Sequence, residues 1–400
     1  MARDGNAKGM KETKFKDTVL GKIPEEWEVC KVLDFTDVMT GATPSTENPD
    51  YWGGHILWMS SGELNKKFVY DVAGRITKEG YNSASTHMLP KNCVLIGLAG
   101  QGKTRGTAAI NKIELCTNQS IGAILPSSDT DADYLFYFFD SQYQNLRALS
   151  SGDGGRGGLS KGLLLNYDVI RPHDKAEQQR IASALSDVDA LVAELDALIE
   201  KKRAIMAGTM QELLTGKRRL KGFSEPWVER TIEDFAKITT GASNTQDQAP
   251  FGIFPFYIRS ASVMKSNRFL YDCEGVITIG DGQIGKVFHY INGKFDLHQR
   301  CYLIYDFYDV DAKFFYYIFS AFFYERAIAL SAKATVDSVR RDMIAKMKVD
   351  LPSLAEQRAI ASILSDMDAE IAELEAKRDK YKEVRQGMMQ QLLTGKIRLI

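Results

Sequence analysis

The chain copies part of itself. Residues 177–220 align with residues 356–399 at a constant offset of 179, without a gap, and 25 of the 44 positions are identical. The shared strings include EQ, IAS, LSD, AEL and LLTGK. Such self-similarity dictates architecture before any residue-level argument begins. A second match lies upstream. Pro24-Glu25-Glu26-Trp27 corresponds to Ser224-Glu225-Pro226-Trp227, Asp34-Phe35 to Asp234-Phe235, and Thr40-Gly41-Ala42 to Thr240-Gly241-Ala242, now at an offset of 200. A fainter echo sets Asp131-Ala132 against Asp311-Ala312, each before an aromatic run. Between these anchors the halves diverge. The order is therefore variable domain, shared segment, variable domain, shared segment.

The shared segments read as long helices. Ile181, Leu185, Val188, Val192, Leu195, Ile199, Lys202, Met206, Thr209 and Leu213 step by four and three, a heptad seam with a period of about 3.5. In the second copy Ile360, Leu364, Met367, Ile371 and Leu374 follow the same rule, which weakens at Arg378 and Arg385, with Tyr381 between them. Both copies reach a glycine, Gly216 or Gly395, where a helix should stop. About 40 residues give a helix of about 60 Å. Reach and charge predict antiparallel pairing. The second variable domain, about 130 residues and about 35–40 Å across, joins the end of one helix to the start of the other. Each helix is also acidic first (Asp187, Asp189, Glu194 and Asp366, Asp368, Glu370) and basic later (Lys201, Lys202, Arg203 and Lys377, Arg378, Lys380). Antiparallel packing sets acid against base. Val94-Leu95-Ile96 and Val276 to Ile279 read as buried strands, and the aromatic runs at 134–139 and 314–324 as buried helices.

Charge and cysteine usage narrow the function. The 51 basic residues nearly cancel the 52 acidic ones, so any nucleic-acid role depends on where charges sit. Five scattered cysteines without a CxxC pair fit reduced thiols in the cytoplasm. The run Phe314 to Phe323 is about half the length a membrane-spanning helix needs.

Motifs that resemble catalytic ones lack their context. Gly97 to Thr104 matches GxxxxGK[ST], but no helical period follows the lysine. The corresponding stretch, Gly280 to Val287, keeps glycines and Lys286 and loses the Ser/Thr for magnesium. A glycine loop presenting Gln101, Lys103 and Arg105, and in the other half Gln283 and Lys286, suits phosphates and base edges better. GxGxxG at 152–157 follows a helix, not a strand, and reads as a loop carrying Arg156. GxSxG at 158–162 lacks the strand of a nucleophile elbow. The five histidines show no paired metal spacing, and no NPPY or DPPY tetrapeptide occurs.

The duplicated AEQQRIASALSDVD and AEQRAIASILSDMD segments, each leading to LLTGK, together with IPEEW, TGATPSTENPDYWGGHILWMSSGEL and SEPW…TTGAS, closely resemble the specificity (S) subunits of type I restriction–modification systems. The resemblance covers nearly the whole chain from about Asp17. It implies an α+β chain with two mixed α/β target recognition domains separated by a long antiparallel two-helix coiled coil, a pseudo-twofold internal repeat. On that template residues 1–16 are a flexible tail, 17–172 and 223–352 the recognition domains, and 173–222 and 353–400 the helices. Each domain would read half of a bipartite site in double-stranded DNA. The helices would set the gap and dock two methyltransferase subunits, which carry S-adenosylmethionine. A restriction subunit using ATP and Mg would join for cleavage, and this chain would hold no cofactor or metal and perform no chemistry. Carried over by motif, the DNA contacts are Thr43, Ser45, Ser60, Ser61, Gln101, Lys103 and Arg105, then Arg156 and Lys161. In the second domain they are Ser243, Asn244, Arg259, Ser260, Gln283 and Lys286, then Lys333 and Arg340. That domain lacks a PDYWGG segment, so loops there map less directly. Two other readings stand beside this one: a nucleotide-binding enzyme built on the P-loop-like segment, and a coiled-coil scaffold that never meets DNA.

Overall fold

The computed structural model describes residues 13–100, 102–149, 158–331 and 338–400. The chain divides into two compact units, residues 1–194 with 378–400, and residues 195–377. Each contains one sheet domain and an end of both long helices, Lys175–Leu213 and Leu354–Leu392.

In the first unit a five-stranded sheet runs in the order Val38–Thr40, Ile121–Ile124, Val94–Gly97, Ala108–Asn111, Phe68–Val69. Its strands are buried on both faces. Val94, Ile96, Ala108 and Ile110 turn toward the aromatic helix Ala132–Ser141, while Leu95, Ala109, Ile121 and Ala123 turn to a second core. This is the period-two alternation of a strand applied to a two-sided core. The second unit repeats the plan with six strands, in the order Lys237–Thr240, Cys301–Tyr305, Tyr271–Ile279, Phe288–Leu297, Phe254–Tyr257, Met264–Ser266. Val276 and Ile304 face the helix Ala312–Ser331, and Ile277, Ile279 and Leu303 face away. The strand Phe288–Leu297 is continuous, whereas its counterpart breaks after Asn111. The buried Asn111 amide donates to the Pro90 and Ile113 carbonyls and accepts from the Cys93 N–H, fixing the turn.

The repeated Glu-Gln pair of the long helices now has a purpose. Gln178 accepts a hydrogen bond from the Asp131 N–H and donates to the Pro172 carbonyl, at 2.7 and 2.8 Å. Gln357 does the same with Asp311 and Pro352, at 2.9 and 2.8 Å. Asp131 and Asp311 in turn cap the aromatic helices through the N–H groups of Tyr134 and Phe314. Both glutamines are buried, with their donors and acceptors satisfied.

The helices pair antiparallel in each unit. In the first, Asp189 meets Arg385 and Glu177 meets Arg398. In the second, Lys202 meets Glu370, Arg203 meets Glu375, and Arg219 meets Glu356. All ten seam positions from Ile181 to Leu213 are buried or half-buried. Arg385, where the apolar rule weakens, stays in the seam because Asp189 and Asp140 neutralise it there and the Tyr137 ring lies 5.9 Å away. Gly216 and Gly395 have φ of +67° and +70°, the left-handed turn that ends a helix.

At the N-terminus the strand Phe15–Thr18 pairs with Gly21–Pro24, so ordered structure begins inside the tail expected at 1–16; residues 1–12 lie outside those described. Among the described residues no helix is long and apolar enough to cross a membrane.

Candidate nucleic-acid interface

In both units, segments distant in sequence are tied together at one end of the sheet by backbone hydrogen bonds. In the first unit the chain leaves the strand Val38–Thr40 through Gly41. A Cβ there would lie 1.8 Å from the Thr117 carbonyl oxygen, so glycine is obligatory. The Thr43 hydroxyl then donates to Gln119 at 2.6 Å. The Asn118 N–H donates to the Met59 carbonyl, which sets Gln119 beside the start of the Ser60-Ser61 segment. The Leu98 N–H donates to Ser120, and the Leu159 N–H to Leu98, adding the loop after Val94–Gly97 and the chain entering Lys161–Leu165.

The second unit uses the same knots. Gly241 is as confined as Gly41, a Cβ meeting the Leu297 carbonyl oxygen at 2.0 Å. The His298 N–H donates to Tyr257, Gly280 to Arg300, and Val339 to Gly280. Gln299 donates through its side chain to Asn244 and through its backbone to the Ser243 carbonyl. This matching of bonds makes Ser61, Ala99 and Ser120 the counterparts of Arg259, Asp281 and Arg300.

The expected contact residues divide accordingly. Thr43, Ser60 and Ser61 are partly exposed at the knotted end, and Lys103 is exposed on the adjoining loop. Ser45 is exposed and accepts the Glu47 N–H, while its carbonyl holds the Trp52 indole N–H. Arg105 is half-buried in the same loop. Lys161 pairs with Asp37 at 3.1 Å, where the strand Val38–Thr40 begins, and so stands apart from Thr43. The Val38 N–H, and after it that lysine, hold the Asp37 carboxyl below its ordinary value. Gln101, Arg156 and Lys333 lie outside the described residues.

In the second unit Asn244, Arg259, Ser260, Gln283, Lys286 and Arg340 all have exposed surface. The Lys286 ammonium lies 5.3 Å from the Tyr324 ring. Arg340 caps the short helix Arg341–Ala345. Ser243 differs from the expectation. It is fully buried, its hydroxyl donates to the buried Asp296, and Ser266 donates to the same carboxylate at 2.9 Å. A buried carboxylate needs such donors, so Ser243 is committed to holding the loop.

Four residues at the knots escaped the motif argument: Gln119, Gln299, Asp281 and Arg300. For Gln119, Gln299 and Arg300 a signal was present, because Asn118-Gln119-Ser120 and His298-Gln299-Arg300 share the offset of 180 that links Asp131 to Asp311; Asp281 had none. His298 is nearly buried, and burial, then the Arg259 charge, lowers its pKa; the neutral ring accepts the Arg300 N–H at its Nδ1. Burial pushes the Cys93 and Cys301 thiols up to about 12, which keeps them protonated and unreactive.

Two of the three catalytic-looking motifs have other uses. The P-loop-like segment closes a β-hairpin: Gly106 donates to Gly97, Gly97 to Thr107, and the strand Ala108–Asn111 follows. No helix opens at Lys103, so the phosphate cradle of a P-loop is not formed. Ser160 of the GxSxG string caps a helix by accepting the Leu163 N–H. The GxGxxG string falls among residues not described.

Three comparisons agree with this geometry. The chain is 29% identical over 60% of its length to the MjaIX specificity subunit of a type I restriction enzyme of Methanocaldococcus jannaschii, an alignment spanning 58% of that protein. It is 24% identical to the MjaVIII specificity subunit from the same organism over 97% of both chains. The crystal structure of a type I restriction-modification S subunit from M. genitalium superposes with a TM-score of 0.67 at 16% identity, covering 92% of this chain and 96% of that one, a likeness of fold. The model of the type I restriction modification DNA specificity domain matches twice, over residues 24–202 and 224–383, and the chain belongs to that family.

Proposed function

We propose that this chain is the non-catalytic, DNA-reading subunit of a type I restriction–modification complex, each sheet domain reading one half of a split site in double-stranded DNA. One observation carries the reading: the two units build the same knotted loop platform and furnish it with different side chains. A shared frame with unlike surfaces is what an asymmetric, two-part sequence requires. The polar groups offered, Thr, Ser, Asn, Gln, Lys and Arg, divide as base readout and phosphate grip do. Residues 17–172 and 223–352 are the recognition domains, and the segments 173–222 and 353–400 set the gap.

The same two helices dock two methyltransferase subunits, because a duplicated helix pair offers two near-equivalent surfaces. S-adenosylmethionine belongs to those subunits, and ATP with Mg to the restriction subunit. The test is exchange of residues 223–350 for those of a relative with another specificity, followed by mapping of methylated bases. One half of the recognised site should change and the other persist. A change in both halves, or in neither, would refute modular reading.

A further inference from the structure

Resting on that DNA reading, we infer that the second unit reads guanine through Arg259 and Arg300, and that Asp281 is the residue that positions them. The three side chains come from three segments. Arg259 follows the strand Phe254–Tyr257, Asp281 follows Tyr271–Ile279, and Arg300 precedes Cys301–Tyr305. Arg259 Nη1 donates to Asp281 Oδ2 at 3.1 Å, and Arg300 Nη1 donates to the same oxygen at 2.8 Å. The carboxylate side chain is 19% exposed, against 46% for Arg259 and 62% for Arg300. The anion therefore sits behind and the two guanidinium groups stand in front of it. Only Nη1 of each bonds to Asp281, so the Nε and Nη2 donors are not used in that pairing. The backbone beneath is pinned from both sides, by Gly280 to Arg300 and by Val339 to Gly280.

The frame does not need this cluster. At the same three positions the first unit has Ser61, Ala99 and Ser120, and the same knots form. A partly exposed Arg–Asp pair contributes little to stability, a weak reason to bring three charges together. Recognition supplies a better one. A guanidinium fork matches O6 and N7 of guanine in the major groove, a pair of acceptors no other base presents there. An arginine held in one orientation by a carboxylate loses less freedom on binding than one that must be ordered. A lysine gripping phosphate would need no such buttress.

The experiment uses the full chain assembled with its modification subunits. Selection from a pool of randomised duplexes first yields the bound sequence, and exchange of residues 223–350 assigns one half to the second unit. Each guanine of that half is then replaced by 7-deazaguanine, which lacks N7, or by inosine, which lacks only the minor-groove amino group. At one or two positions 7-deazaguanine should weaken binding at least about tenfold, and inosine less than about twofold. Arg300→Ala should abolish that sensitivity, and Arg300→Lys should not restore it. Asp281→Asn should reduce discrimination of guanine from adenine at those positions at least about fivefold, and Asp281→Glu should recover part of it. Unaltered reading of the other half shows that the variants fold. A half-site without guanine, indifference to 7-deazaguanine, or full rescue by lysine would overturn the inference while leaving the DNA reading intact. A wild-type complex with no sequence preference would overturn both.

Discussion

The two units solve the same packing problem with different chemistry. In the first, Tyr137 donates to Asp189 at 3.0 Å, and Arg385 fills the gap between Asp189 and Asp140. In the second, Tyr317 donates to Asp368 at 2.6 Å, but the repeat puts Met206 where Arg385 stands and Ser320 where Asp140 stands. The end clasps differ in degree. Glu177 takes both Arg398 and the Trp27 indole N–H, and the Arg398 side chain is 9% exposed. Glu356 takes Arg219, which is 26% exposed, and the Trp227 N–H does not reach it. Duplicated sequence thus fixes the frame, while a few substitutions put a half-buried arginine in the seam of the first unit and a methionine at the same place in the second.

The clasps give the largest expected contrast. Glu177→Ala leaves the buried Arg398 guanidinium with the exposed Glu26 as its remaining carboxylate and strands the Trp27 indole N–H, and should destabilise the first unit by about 4 kcal/mol. Glu356→Ala should cost the second unit about half as much, because Arg219 can turn to water. Hydrogen exchange resolved by unit distinguishes the two, and equal losses would erase the asymmetry. Arg385→Met, which copies the second unit into the first, leaves Asp189 without its cation and Asp140 with Lys67 alone. It should cost about 2–3 kcal/mol, with part recovered by adding Asp189→Asn. A neutral Arg385→Met would show that the seam tolerates either solution equally.

A pH titration sharpens the contrast further. Burial lowers the pKa of His289 and His298 in the second unit. The unfolded chain then binds their protons first, so their contribution is complete above about 6.5 and is lost as pH falls below it. The unfolding midpoint of that unit should drop over this range, and replacing both histidines with glutamine should flatten the dependence. The smallest effect is also the most symmetric. Gly208 and Gly387 occupy equivalent exposed positions in the two helices, and a Cβ at either meets nothing within 4 Å. Substitution by alanine should stabilise the chain by about 1 kcal/mol at each site, measured by thermal unfolding. Weaker assembly with the methyltransferase subunits in the same variants would mark these glycines as docking points.

The frame was legible because periodicity and duplication are properties of sequence. The heptad steps, the opposed charge halves and the stops at Gly216 and Gly395 all follow from spacing. The platform was legible only in part. Gly41 and Gly241 anchor it and share a motif, so Thr43 and Asn244 could be chosen from the sequence. Ser243 could not be told from an exposed serine, because its partner Asp296 is 53 residues away. Arg300 and Asp281 meet only through strand register, and the pairing of Gly280 with Arg300 cannot be read from either segment alone.

The proposal joins a reading platform in each unit to a helix pair that sets the gap between two half-sites, and one measurement tests that joint most directly. One heptad is inserted at facing positions of both long helices, and the methylated sites of the assembled complex are mapped beside those of the unaltered one. Seven residues add about 10.5 Å, so the unread gap should lengthen by about three base pairs while both half-sequences stay the same. A gap that keeps its length in a complex that still assembles and methylates would contradict the account.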